Sequence, residues 1–216
     1  MLDIEVQNDG AKDTGVELNI EGTRHLGAAI GTPSFRAKFV EKKVNNWVSA
    51  LKRLSEIAKS QPHAAFAVFT HCLQSQWTFV SRSTPEVASL LQPLEEEIRL
   101  SFIPSLLRRN VNDEERVLLS LPARLGGMGI LNPVTESITA HANSVRMCEP
   151  LIRLILRQET DFDPFEIESN VKAIRKQIDK QNDELHAARL NEILVHASEE
   201  TKLSVKLFSE KGRLAG

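Results

Sequence analysis

Residues 34–57 read Ser34-Phe-Arg-Ala-Lys-Phe-Val-Glu-Lys-Lys-Val-Asn-Asn-Trp-Val-Ser-Ala-Leu-Lys-Arg-Leu-Ser-Glu-Ile57. Phe39, Val40, Val44, Trp47, Val48, Leu51, Leu54 and Ile57 recur there at three- and four-residue steps, which places them on one stripe of a helix. Out to Lys59 the same segment carries Arg36, Lys38, Lys42, Lys43, Lys52, Arg53 and Lys59 against Glu41 and Glu56. It is locally basic in a chain whose formal net charge is -2. Two readings fit this charge: a solvated outer face, or, with Arg24 and the Arg108-Arg109 pair, a strip facing phosphates.

Toward the N-terminus the pattern changes period. Met1 to Thr14, with Asn8-Asp9-Gly10, reads as a turn-rich lead whose ragged composition hints at truncation. Val16, Leu18 and Ile20 alternate with Glu17 and Asn19, as a half-buried strand does. Glu21-Gly22 is the expected turn and His25 to Ile30 the returning strand, with Gly27 and Gly31 marking a bulge or a close backbone approach.

Toward the C-terminus the chain reads as helix after helix. Gln61-Pro62 ends the first and opens a second, about Ala64 to Phe79, that is apolar almost all round and is expected in the middle of the core. Ser83 or Thr84 before Pro85-Glu86 predicts a capped start, with Val87, Leu90, Leu91, Leu94, Ile98 and Phe102 on the buried face and Pro104 closing or kinking the helix. Asn112-Asp113-Glu114-Glu115 opens a short helix that ends before Leu121-Pro122. The loop from Leu121 to Pro133 holds Gly126, Gly127 and Gly129, so its backbone bends sharply or lies against something. Asn132-Pro133 caps a helix to about Cys148, and Pro150 is expected to start another. Past Asp161-Phe-Asp-Pro164, the apolar positions Ile167, Val171, Ile174, Ile178, Leu185, Ala188, Ile193 and Leu194 predict one or two long amphipathic helices. Ser198 is a candidate cap for a last helix with Leu203, Val205 and Leu207. The fold class is therefore mainly α, a short N-terminal β-hairpin followed by a multi-helix bundle.

Composition narrows the function classes. With 216 residues, 41% hydrophobic and 26% charged, the chain is an ordinary globular protein of one or two domains. Two distant cysteines, Cys72 and Cys148, point to a reducing compartment, and the polar N-terminus predicts no secretory leader. Together with the lack of any long apolar run, this predicts an intracellular protein, cytoplasmic or nuclear, without a membrane span. The absence of tyrosine argues against aromatic platforms for single-stranded bases. None of His25, His63, His71, His141, His186 and His196 stands in zinc-ligand spacing, and Asp161 and Asp163 read as caps or turn residues rather than a cation site. Phosphate-loop, dinucleotide and Gly-x-Ser-x-Gly patterns are missing.

One resemblance adds to this reading. Glu21-Gly-Thr-Arg-His-Leu-Gly-Ala-Ala-Ile-Gly31, with the helix holding Val44 and Trp47, resembles the region just after the catalytic palm of reverse transcriptases encoded by animal retrotransposons. Pro62 through Phe69-Thr70-His71, Gln76-Trp77, Pro93-Leu94-Glu95, Phe102-Ile103-Pro104-Ser105-Leu106 and Leu121-Pro to Asn132-Pro133 extend it, so it spans roughly Val16 to Val145. In that family a tight strand turn carrying a Leu-Gly pair, the primer grip, leads into a helical thumb. The resemblance implies three parts: residues 1–33 as a hairpin like the end of a palm, 34–133 as a thumb-like region and 134–216 as a helical extension. It implies Arg24, His25, Leu26 and Gly27 as the grip, and Arg36, Lys43 and Lys52 as phosphate contacts on an RNA/DNA template–primer duplex. No Asp-Asp pair occurs in the sequence. Catalytic residues and Mg²⁺ would then belong to a palm upstream of Met1, and this RNA-directed DNA polymerase fragment would not itself be an enzyme.

Two other classes remain beside it. A helical interaction module would dock a partner through residues 167–194, although the pattern there departs from strict heptads. A small enzyme with a site assembled from scattered polar residues has no motif behind it.

Overall fold

A computed structural model describes residues 20–158, 161–197 and, beyond these, 199, 202, 203, 205 and 207. The lead Met1–Thr14, the strand positions Val16 and Leu18 and the cap Ser198 lie outside the described residues. The chain is mainly helical behind a short two-strand antiparallel hairpin, β1 (Gly22–His25) and β2 (Ala28–Gly31). Among the described residues no helix is long and apolar enough to cross a membrane.

Helix α1 (Pro33–Ala58) starts where Thr32 accepts a 3.2 Å bond from the Phe35 N–H and Pro33 fits the first turn. Val40, Val44, Trp47, Leu51, Leu54 and Ala58 are its buried stripe, while Ile57 turns out to be about half exposed. The expected stripe thus runs one residue askew at its end, because small Ala58 and Ser55 fill the last turn. Ser55 makes this possible by donating to the Leu51 carbonyl at 2.9 Å.

The second helical run comprises α2 (Pro62–Val68), a π turn (Phe69–Leu73) and α3 (Gln74–Ser83). It is not the all-round buried helix expected. Ala65, Phe69, Leu73, Trp77 and Val80 are buried, but Ala64, Ala67, Val68 and Phe79 face outward. Composition misled here because alanines cost little when exposed and so do not report a buried face. Trp47 donates to the Gln76 side chain at 2.9 Å, and an aromatic series runs from Trp47 through Trp77 and Phe69 to Phe102.

The capped start at Pro85 is also corrected. The Ser83 hydroxyl is spent on the Phe79 carbonyl at 3.0 Å, Thr84 is extended and buried, and Glu86 takes a left-handed backbone. Helix begins only at the 3₁₀ turn Ala88–Leu91 and continues through α4 (Gln92–Glu97), a second π turn (Ile98–Phe102) and α5 (Ile103–Leu107). Pro104 does not close it: the wider π turn just before it accommodates the ring and the missing N–H. Val87, Leu91, Leu94, Ile98 and Phe102 are buried as expected.

Helix α6 (Asp113–Ser120) opens on a full capping box between Asn112 and Glu115. The glycine loop then doubles back, with Gly129 donating to the Leu121 carbonyl and Ile130 to that of Leu119. Gly127 lies so close to the Leu121 carbonyl that a Cβ there would overlap it. Gln74 fastens this loop to α3, donating to the Gly129 carbonyl at 3.2 Å and accepting from the Leu131 N–H at 3.0 Å.

Helix α7 (Pro133–Arg157) is capped by Asn132 and runs through Pro150, so Pro150 starts no new helix. One lost hydrogen bond is tolerated, and the Glu149–Arg153 ion pair at 2.6 Å spans the proline. Its free end leaves Leu151, Ile152, Ile155 and Leu156 exposed. Helix α8 (Pro164–His196) is single and long, with Asp163 as its cap, accepting from the Phe165 N–H at 2.9 Å. It lies against α7 and α6, burying Ile178 and Ile193 within the chain. Of the other apolar positions in 167–194, Ile167, Val171, Ile174 and Leu194 are half-buried, while Leu185 and Ala188 stay exposed.

His186 on α8 is held below the ordinary histidine pKa, chiefly by burial, with Glu136 and Asp183 opposing and Arg189 and Arg124 assisting. The unfolded chain then binds that proton more readily, so stability is full above about pH 6.5 and falls as the pH drops below it. His186→Gln is expected to shrink the loss of melting temperature between about pH 8 and pH 5.5. An unchanged pH profile would show that His186 has no part in it.

Candidate nucleic-acid interface

The hairpin carries the first group of expected contacts. Its register pairs Thr23 with Ile30, Arg24 with Ala29 and His25 with Ala28, leaving Leu26 and Gly27 as a two-residue turn. The turn expected from residue alternation at Glu21-Gly22 is thus displaced, and the Leu-Gly pair takes the tip. No bulge interrupts the ladder. The physical reason is that a two-residue turn matching strand twist needs positive φ at both centres. Gly27 supplies this freely at +89°, and Leu26 is held at +47°. Leu26 is a poor residue for that backbone, and it is also 87% exposed. Arg24 and His25 are exposed beside it, and Gly27 rests near the Phe79 ring of α3.

The second group lies along α1, which at 26 residues is about 39 Å long. Arg36 and Lys43 are two turns apart on one flank of the buried stripe. Arg36 is half-buried in a hollow beside Thr84 and Glu86, and the Lys43 ammonium lies 5.7 Å from the centre of the Phe39 ring. Lys52, nine residues beyond Lys43, falls about half a turn round at roughly 100° per residue. It is exposed, with its nitrogen 4.0 Å from Glu97. The helix therefore does not bring Arg36, Lys43 and Lys52 into one row.

A row that does exist is Lys38, Lys42 and Arg53, with Ser49 between, all exposed on the solvent side of α1. None of the three cations has an ion-pair partner among the described residues. Their spacing of four and then eleven residues was the available signal, since both intervals return to one helical face. At the far end of this row Arg53, with Lys52 and Lys59, borders an open cleft of about 1150 Å³, faced by Arg108 and Arg109 where α5 ends.

The chain matches no protein-family model, no curated protein and no solved structure. Among the described residues, no three His, Cys, Asp or Glu side chains converge as a metal ion would require. Asp163 is occupied as a helix cap, and Asp161 is exposed.

Proposed function

We propose that this chain is the non-catalytic, thumb-like part of a reverse transcriptase-like protein and holds an RNA/DNA template–primer duplex by its backbone. The observation that carries the proposal is the solvent-side row Lys38, Lys42 and Arg53, basic and without acidic partners among the described residues. Such a row stabilises nothing inside the chain, but it suits a ladder of phosphates. The strained and exposed Leu26 supports the same reading, because backbone strain persists where a site needs a particular tip. Arg24, His25, Leu26 and Gly27 meet one strand, Arg36 and Lys43 flank the helix on one side and Lys52 on the other. Recognition of this kind follows charge and shape, not base sequence.

Replacing Lys38, Lys42 and Arg53 together by glutamine removes three cations from an exposed face and leaves the core untouched. The variant is expected to bind a labelled RNA–DNA duplex more weakly, with a log–log salt slope shallower by about 3. Fluorescence anisotropy across a salt series measures this. An unchanged slope would remove α1 from the interface.

A further inference from the structure

We infer that the cleft between the end of α1 and the end of α5, which shares Lys52 and Arg53 with the proposed duplex face, binds a multiply charged phosphate anion in its own right. It lies sixteen residues down α1 from Arg36, about 24 Å along the helix, and so apart from the hairpin. Lys52, Arg53 and Lys59 supply one wall and Arg108 and Arg109 the other, with Glu56 and Glu97 the acidic groups among the described lining residues.

The pairing within the cleft decides which cations are free. Lys59 sits on Glu56 at 2.7 Å, Lys52 is 4.0 Å from Glu97, and Arg109 is held by Glu115 at 2.7 Å. Arg53 and Arg108 have no ion-pair partner among the described residues, and they belong to opposite walls. Two guanidinium forks facing an open space suit phosphate oxygens better than lone carboxylates, because each fork bonds two oxygens at once. The Ser101 and Ser105 side chains add short neutral donors to the lining.

Arg108 supplies an independent observation. It ends α5 in the left-handed conformation, φ 59°, where glycine or asparagine is the low-cost residue. Its side chain is exposed and makes no ion pair, so the described contacts do not explain arginine there. A ligand in the cleft does.

Titration calorimetry of the whole chain with sodium tripolyphosphate at low ionic strength tests this inference. Saturable binding is expected, weakened about tenfold in Arg53→Gln/Arg108→Gln, as loss of two charge-assisted contacts implies. Lys176→Gln/Lys180→Gln, two exposed cations on α8 outside the cleft lining, is expected to leave it within about twofold. Arg108→Gly separates fold from function: its melting temperature should hold or rise while affinity falls. No saturable binding, equal loss in both double variants, or full affinity in Arg108→Gly would each overturn the site. If a nucleic-acid duplex displaces tripolyphosphate, the natural anion is a phosphodiester backbone. If it does not, the anion is a free oligophosphate. The site survives even where the chain binds no duplex at all, so its failure and that of the duplex reading are told apart.

Discussion

Glu95→Ala is expected to destabilise the protein by about 3–5 kcal/mol, because it strands a buried arginine. Both Glu95 oxygens accept from Arg116, each at 2.7 Å, and the two side chains are almost wholly removed from solvent. Arg116 also donates to the Ile130 carbonyl at 2.8 Å and to that of Leu131 at 3.3 Å. One side chain thus joins α4, α6 and the exit of the glycine loop. Carbonyls alone do not compensate a buried guanidinium, which is why removing the carboxylate costs more than the pair itself contributes. Glu95→Ala/Arg116→Met should recover part of the loss, since no charge is then buried. Urea denaturation of the wild type, both single variants and the double variant measures this. A single-variant loss below about 1 kcal/mol would show that Arg116 reaches water when its partner is gone.

Phe69→Ala is the second large effect, about 3–5 kcal/mol. The Phe69 ring lies 4.6 Å from Phe102, nearly parallel at 16°, and 5.6 Å from Trp77. Phe69 opens one π turn and Phe102 closes the other, so the two irregular turns meet through this stack. Both rings are fully buried, and truncation leaves a cavity that helices carrying Pro62, Pro93, Pro104 and two π turns cannot readily collapse. Against a typical margin of about 5–15 kcal/mol, such a loss is a large part of the total. Phe79→Ala, at a half-exposed ring one helical face away, is expected to cost well under half as much. Equal losses in the two variants would mean that the aromatic stack is not the centre of the core.

Much of the helical framework was legible because its signals are local. The α1 stripe, the helix start at Asn112–Glu115, the Asn132 and Asp163 caps and the buried face from Val87 to Phe102 all follow from side chains acting on their own turn. The errors arose where a distant group or a competing bond intervened. Ser83 had the right identity for a cap, but its hydroxyl was engaged by the preceding helix. Pro150 had the right identity for a break, but the helix tolerates one missing bond. The hairpin turn moved from Glu21-Gly22 to Leu26-Gly27 because ladder register outweighs a local turn signal. The Glu95–Arg116 pair was invisible, since 21 residues separate its members and each looked like ordinary surface charge. In the candidate interface, residue types were legible but their grouping was not. Arg36, Lys43 and Lys52 fall on different sides of α1, whereas Lys38, Lys42 and Arg53 share one.

The most direct measurement is equilibrium binding of the wild-type chain to fluorescent RNA–DNA duplexes of unrelated sequence, from about 50 to 200 mM salt. Binding at the low end is expected, weakening linearly on a log–log plot with the same slope for every sequence. No binding at low salt, or a strong preference for one sequence, would contradict the duplex proposal.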